Sequence, residues 1–119
     1  MVDLERKLTA ILAADVVSFS KYMSQDEEGT LGLVKRLETE ILTPIVEGHS
    51  GKIFKKMGDG YLADFPIVVG AIKAAIDIQS SLIHTEIRYP DNVTLGLRIG
   101  VNLGDVIIDD EDIYGDGVN

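Results

Sequence analysis

Lys52-Ile-Phe-Lys-Lys-Met-Gly-Asp-Gly-Tyr-Leu-Ala-Asp-Phe65 reads as two short strands around a tight turn. Residues 52–56 and 61–65 are the strand candidates, and Gly58-Asp59-Gly60 supplies the hairpin chemistry between them. Upstream, residues 8–17 are largely apolar, break at Asp15 and read as a buried strand. Between the two lies a helix pattern over residues 25–47, with Leu31, Val34, Leu37, Ile41 and Ile45 spaced by threes and fours. Asp26, Glu27 and Glu28 fall where a helix start favours negative charge, and Pro44 is expected to kink or end the helix. Residues 48–51 are a loop. Downstream, Phe65-Pro66 opens a second helix whose face is marked by Val68, Ile72, Ala75, Ile76, Gln79 and Leu82. Tyr89-Pro-Asp-Asn92 is a turn. Leu95, Leu97, Ile99 and Val101 then alternate with Gly96, Arg98, Gly100 and Asn102, the pattern of a half-buried strand. Leu103-Gly104 is expected to turn it back into a last strand over residues 105–108.

The order is β-α-β-β-α-β with one extra strand, an α+β chain with a ferredoxin-like core. That topology has a chemical consequence. A crossover makes the first two strands run the same way, and the hairpin reverses the third. The first strand can then lie antiparallel beside the third, which sets Asp15 level with Asp59. Two carboxylates far apart in sequence meet at one edge.

The composition bounds the alternatives. The 119 residues allow one domain, and a hydrophobic fraction of 45% is ordinary for a globular protein. A net charge of −9 argues against a nucleic-acid binder, but an anionic nucleotide remains acceptable if metal ions intervene. There are no cysteines, so disulfide and thiolate chemistry are excluded. No apolar run approaches the ~20 residues of a membrane helix, and no signal-peptide pattern precedes Asp15. A cytoplasmic location without a membrane segment is expected.

Each candidate residue has a plain structural alternative. Asp15 ends an apolar strand, where a charge is costly unless compensated. It reads as a hard-metal ligand, since Mg2+ takes one or two carboxylates plus phosphate oxygens, or equally as a cap on the next turn. Asp59 between two glycines is by itself a turn residue, and its convergence with Asp15 is what gives it a second meaning. Val16-Val-Ser-Phe-Ser20 offers backbone N–H groups and hydroxyls to a phosphate, or is an ordinary Ser-capped loop. Lys55 and Lys56 alternate across a strand, so one of them can face water with no role. Most of Asp105, Asp109, Asp110, Glu111, Asp112 and Asp116 are expected to face water, and His49 and His84 show no partner pattern.

Four segments together resemble the class III nucleotidyl cyclases, the catalytic domain of adenylate and guanylate cyclases. They are Asp15-Val-Val-Ser-Phe-Ser20, Lys55-Lys-Met-Gly-Asp-Gly60, Arg98-Ile-Gly-Val-Asn-Leu-Gly104 and Asp112-Ile-Tyr-Gly-Asp-Gly-Val-Asn119. The resemblance implies a cyclase converting ATP to 3′,5′-cyclic AMP and pyrophosphate. It implies that Asp15, Asp59 and the backbone of Val16 hold two Mg2+ (or Mn2+) ions. It further implies that Lys55 and Asp112 read adenine, that Phe19 and Ser20 contact phosphate, and that Asn119 holds the reacting substrate. In the family the sites form between two chains, so a homodimer is expected, with Lys55, Asp112 and Asn119 of one protomer facing the metal carboxylates of the other. Ser18 stands where the family often has Gly, Ser20 where it often has Thr, and Asp105 where some members carry a basic phosphate contact. The resemblance also implies that residues 1–119 are a single cyclase domain, C-terminally incomplete. A charge-stabilising Arg four positions past the Asn, a helix, further strands and a late Lys would follow. Loss of such an Arg costs on the order of 10³-fold in comparable chemistry, so the chain alone is expected to be nearly inactive. A non-catalytic nucleotide-sensing or dimerisation domain is the alternative. A diguanylate-cyclase-like enzyme is disfavoured, because Gly58-Asp59-Gly60-Tyr61 is not the hairpin signature that chemistry uses.

Overall fold

The computed structural model describes residues 5–109 and 112–115. The order is β1 (Glu5–Val16), α1 (Phe19–Gln25), α2 (Glu27–Leu37), a π-helical segment (Glu38–Leu42), α3 (Thr43–Gly48), β2 (Lys52–Met57), β3 (Gly60–Phe65), α4 (Val68–His84), β4 (Leu97–Asp109) and β5 (Asp112–Gly115). The five strands form one sheet in the order β2-β3-β1-β4-β5, antiparallel throughout. The first four make the expected ferredoxin-like core, but the extra strand beside β4 is β5 and not the expected segment 105–108, which is part of β4.

Helices cover one face of the sheet. Ala10, Leu12, Ala14 and Val16 of β1 point into the core, with Tyr61, Ala63 and Phe65 of β3 and Leu97 of β4. Val34, Leu37, Ile41, Leu42 and Val46 come from the first helical run, and Ala71, Ala74, Ile78 and Leu82 from α4. Thr9 donates its hydroxyl proton to the Phe65 carbonyl at 2.7 Å, and Gln79 Nε2 donates to the Leu97 carbonyl at 2.9 Å.

Three expectations are corrected. The helix over residues 25–47 is divided. Asp26 is extended (φ −157°, ψ 91°), and its carboxylate accepts from the Gly29 N–H, so it caps α2 and separates α1 from it. Further along, the Thr43 N–H reaches back five residues to the Glu38 carbonyl, the wide turn of a π-helix. Pro44, which has no N–H to give, follows directly. The wide turn brings both Ile41 and Leu42 into the core.

The buried face of α4 is rotated from the expected one. Ile72 and Ile76 are 47% and 62% exposed, while Ala71 and Ala74 are fully buried. Small residues let the helix approach the sheet closely, and that outweighs burying larger side chains. Finally, Leu103-Gly104 is no turn. β4 runs on to Asp109 because β1 extends back to Glu5 and offers it partners as far as Ile108, with Gly104 opposite Thr9. The chain reverses between β4 and β5 instead, pairing Asp109 with Asp112.

Candidate active site

The C-terminal end of β1 is flanked on both sides. Asp15 pairs with Gly60 across β3 and with Arg98 across β4. Asp59 sits in the β2–β3 turn, whose Gly58 adopts φ +60°, a conformation that suits glycine. From there its Oδ2 accepts the Val16 N–H at 3.1 Å. The two carboxylates, 44 residues apart in sequence, thus share one strand end, as the topology required. Asp15 is half-buried, with its side chain 44% exposed, and its Oδ1 accepts from Arg98 Nε at 2.7 Å. That hydrogen bond and the Asp15 charge raise the Arg98 guanidinium further above its ordinary range, with a smaller contribution from Asp59. Both carboxylates therefore act on one guanidinium.

After Val16 the chain turns sharply. The Val17 N–H donates to the Gly96 carbonyl at 2.9 Å, and Ser18 adopts φ 61°, left-handed backbone that favours glycine. Phe19 is half-buried against the core, and Ser20 is exposed in the first turn of α1.

Lys55 is exposed on β2, just past a register shift between Ile53 and Lys55. The shift breaks the simple alternation expected of Lys55 and Lys56. Lys56 is ion-paired with Glu38 of the π-helical segment, which leaves Lys55 as the lysine without a structural task among the described contacts. Asp112 opens β5, opposite Asp109. Asn119 lies outside the described residues. His49, which showed no partner pattern, has Nε2 2.7 Å from Asp77 Oδ2 and joins the end of α3 to α4.

Arg98 is the residue that motif reading left without a role. Its signal was present: it alternates with apolar residues on a strand that had to pair with β1. The missing piece was the register that puts it opposite Asp15.

The donor set suits a hard divalent cation. Two carboxylates with hard oxygens converge, one of them oriented by a backbone N–H. Among the described residues no group of three His, Cys, Asp or Glu side chains could hold a metal unaided. Oxygens from a bound phosphate would complete the shell. Beside Asp15 and Arg98, the helix-free face of the sheet carries a shallow depression of about 490 Å3, lined in part by Ala13, Met57, Leu62 and Gly100.

This chain is 38% identical to the crystal structure of an adenylate/guanylate cyclase/hydrolase from Silicibacter pomeroyi. The match covers 98% of this chain and 68% of that one, with a TM-score of 0.87. The chain belongs to the class III nucleotidyl cyclases. A Rhizobium meliloti (strain 1021) protein, Putative adenylate cyclase 3, is 41% identical over 98% of this chain, which spans about a fifth (20%) of that relative's length. A bacterial light-regulated adenylyl cyclase is 27% identical with a TM-score of 0.82, covering 100% of this chain and 39% of its own. No family model matches. Within the cyclase domain, no helix among the described residues is long and apolar enough to cross a membrane.

Proposed function

We propose that residues 1–119 belong to one adenylate cyclase domain that converts ATP to 3′,5′-cyclic AMP and pyrophosphate. The observation that carries this reading is the junction of Asp15 and Asp59 at the end of β1, tied by the Val16 N–H and faced by Arg98. Asp15 and Asp59, with the backbone of Val16, would hold two Mg2+ (or Mn2+) ions. Bound there, the ions would neutralise the triphosphate and lower the pKa of the ribose 3′-hydroxyl.

The chain's own residues then bind and orient. Phe19 and Ser20 present the turn to the phosphates. Arg98, already drawn to the carboxylates, has the planar fork that suits phosphate oxygens. Lys55 and Asp112 read the adenine ring, which favours ATP over GTP, and Asn119 holds the ribose and α-phosphate in line. The 3′-oxygen forms its bond to the α-phosphorus as the bond to the β-phosphate oxygen breaks. The hydroxyl proton passes to solvent and pyrophosphate leaves. Positioning and charge stabilisation do most of the work in chemistry of this kind. The base-reading residues would come from a second copy across the helix-free face of the sheet, giving a cytoplasmic homodimer.

The test is cyclic-nucleotide production from ATP and from GTP with Mn2+, by this chain and by a version extended to the length of the Silicibacter domain. Cyclic AMP from ATP in the extended version supports the assignment. A folded dimer that binds Mn2+ and nucleotide without turnover would instead support a non-catalytic sensing domain.

A further inference from the structure

Tyr22 makes more connections than a core residue on a seven-residue helix requires. Its ring stacks on Tyr89, with centroids 3.4 Å apart and planes 4° from parallel. Its hydroxyl donates to Asp91 Oδ2 at 3.2 Å. Its carbonyl accepts both the Thr30 hydroxyl at 3.0 Å and the Asp26 N–H at 2.9 Å, and its N–H reaches the Ser18 carbonyl at 3.3 Å. The partner loop is itself braced. Tyr89 and Val93 are joined through the Tyr89 N–H at 3.0 Å, the Asn92 N–H bonds the Tyr89 carbonyl at 2.8 Å, and Asp91 Oδ1 accepts the Val93 N–H at 3.2 Å.

The turn at residues 17–20 therefore hangs between two fixed points, the Gly96 carbonyl at one end and the Tyr22 stack at the other. Ser18, at a left-handed φ, is strained there and would relax if either point were released. We infer that Tyr22 and Tyr89, stacked on each other and anchored by Asp91, are positioning residues that hold the phosphate-facing turn at residues 17–20 beside Asp15 and Asp59. This rests on the cyclase reading for what the turn faces; the geometry of the clamp does not. The Tyr89 hydroxyl is buried with no hydrogen-bond partner among the described residues, so the stack on Tyr22 is the side-chain contact that anchors its ring. Burial, Tyr22 and then Asp59 raise its pKa, so it lies within the field of the Asp59 carboxylate.

Two variants separate the parts. Tyr22→Phe keeps the ring and loses the bond to Asp91, whereas Tyr22→Leu loses both the bond and the stack but keeps an apolar side chain there. Amide hydrogen exchange, without ligand, reads the clamp directly. Titration with Mn2+ plus tripolyphosphate reads the phosphate half of the site without the base. Tyr22→Leu is expected to speed exchange of the bonded Val17 and α1 amides by about tenfold or more and to weaken tripolyphosphate by about tenfold, the scale of lost supporting contacts. Binding of Mn2+ alone and exchange in β3 should be unchanged, and Tyr22→Phe should fall between. Equal exchange and equal affinity in all three proteins would overturn the inference, as would a uniform loss of protection across the sheet. If the wild type takes no tripolyphosphate, the cyclase reading fails, while the exchange data still decide the clamp.

Discussion

A guanidinium 2.7 Å from a carboxylate competes with any cation for the same oxygen. Arg98→Ala should therefore have effects of opposite sign. Mn2+ alone should bind about 2- to 5-fold tighter, the range of an exposed ion pair, and metal-bound ATP should bind more weakly. Parallel calorimetric titrations with Mn2+ and with a non-reactive ATP analogue check both signs. Tyr61 gives a pH-dependent counterpart. Burial, then the charges of Glu38 and Asp59, push its hydroxyl from 10.0 up to about 12. Below pH 10 folded and unfolded chains both keep this proton, so the contribution to stability is complete. Between pH 10 and 12 the unfolded chain alone gives it up, and stability falls as pH rises. Tyr61→Phe should flatten that decline in urea titrations, and an unchanged slope would assign the alkaline loss to other groups.

The strands and helices show where sequence reading succeeds and where packing takes over. The β2–β3 hairpin was legible from Gly58 and Gly60, and the convergence of Asp15 with Asp59 followed from strand order alone. The face of α4 was not, because large apolar residues dominate a periodicity count, whereas closeness of approach favoured Ala71 and Ala74. The π-helical turn was hidden for a related reason: its cause is a proline and a pair of adjacent apolar residues, and neither specifies five-residue bonding locally. The reach of β4 depended on how far β1 extends, a fact about another strand. Gly51 illustrates the same dependence. It precedes β2, and a Cβ there would lie 2.3 Å from the Phe65 ring. Phe65 is fully buried and has no room to yield. Gly51→Ala should cost about 1–3 kcal/mol of stability, the range for overpacking, read from chemical denaturation. A variant as stable as the wild type would show that the loop can shift away from the ring.

At the scale of the molecule, the described helices clothe one face of the sheet and leave the other bare among the described residues. The clothed face is ordinary α+β packing. The bare face presents the carboxylates, Arg98 and a shallow apolar floor that includes Gly100, around which a side chain would meet nothing within 4 Å. In the extended version, Gly100→Arg should leave the monomer's thermal stability nearly unchanged, yet reduce self-association and cyclic AMP output together. Sedimentation beside an activity assay tests this, and an active, associating variant would move the proposed dimer surface elsewhere. The bare face has a border that matters in a crowded solution. β2 is an outer strand, and outer strands are templates on which other chains can aggregate. This one carries Lys52, Lys55 and Lys56 and is bent by its register shift. The same cationic fringe denies neighbouring copies a flat, neutral ribbon to add to. Solubility is thus written into the edge itself, and neutralising these lysines would open β2 to added strands.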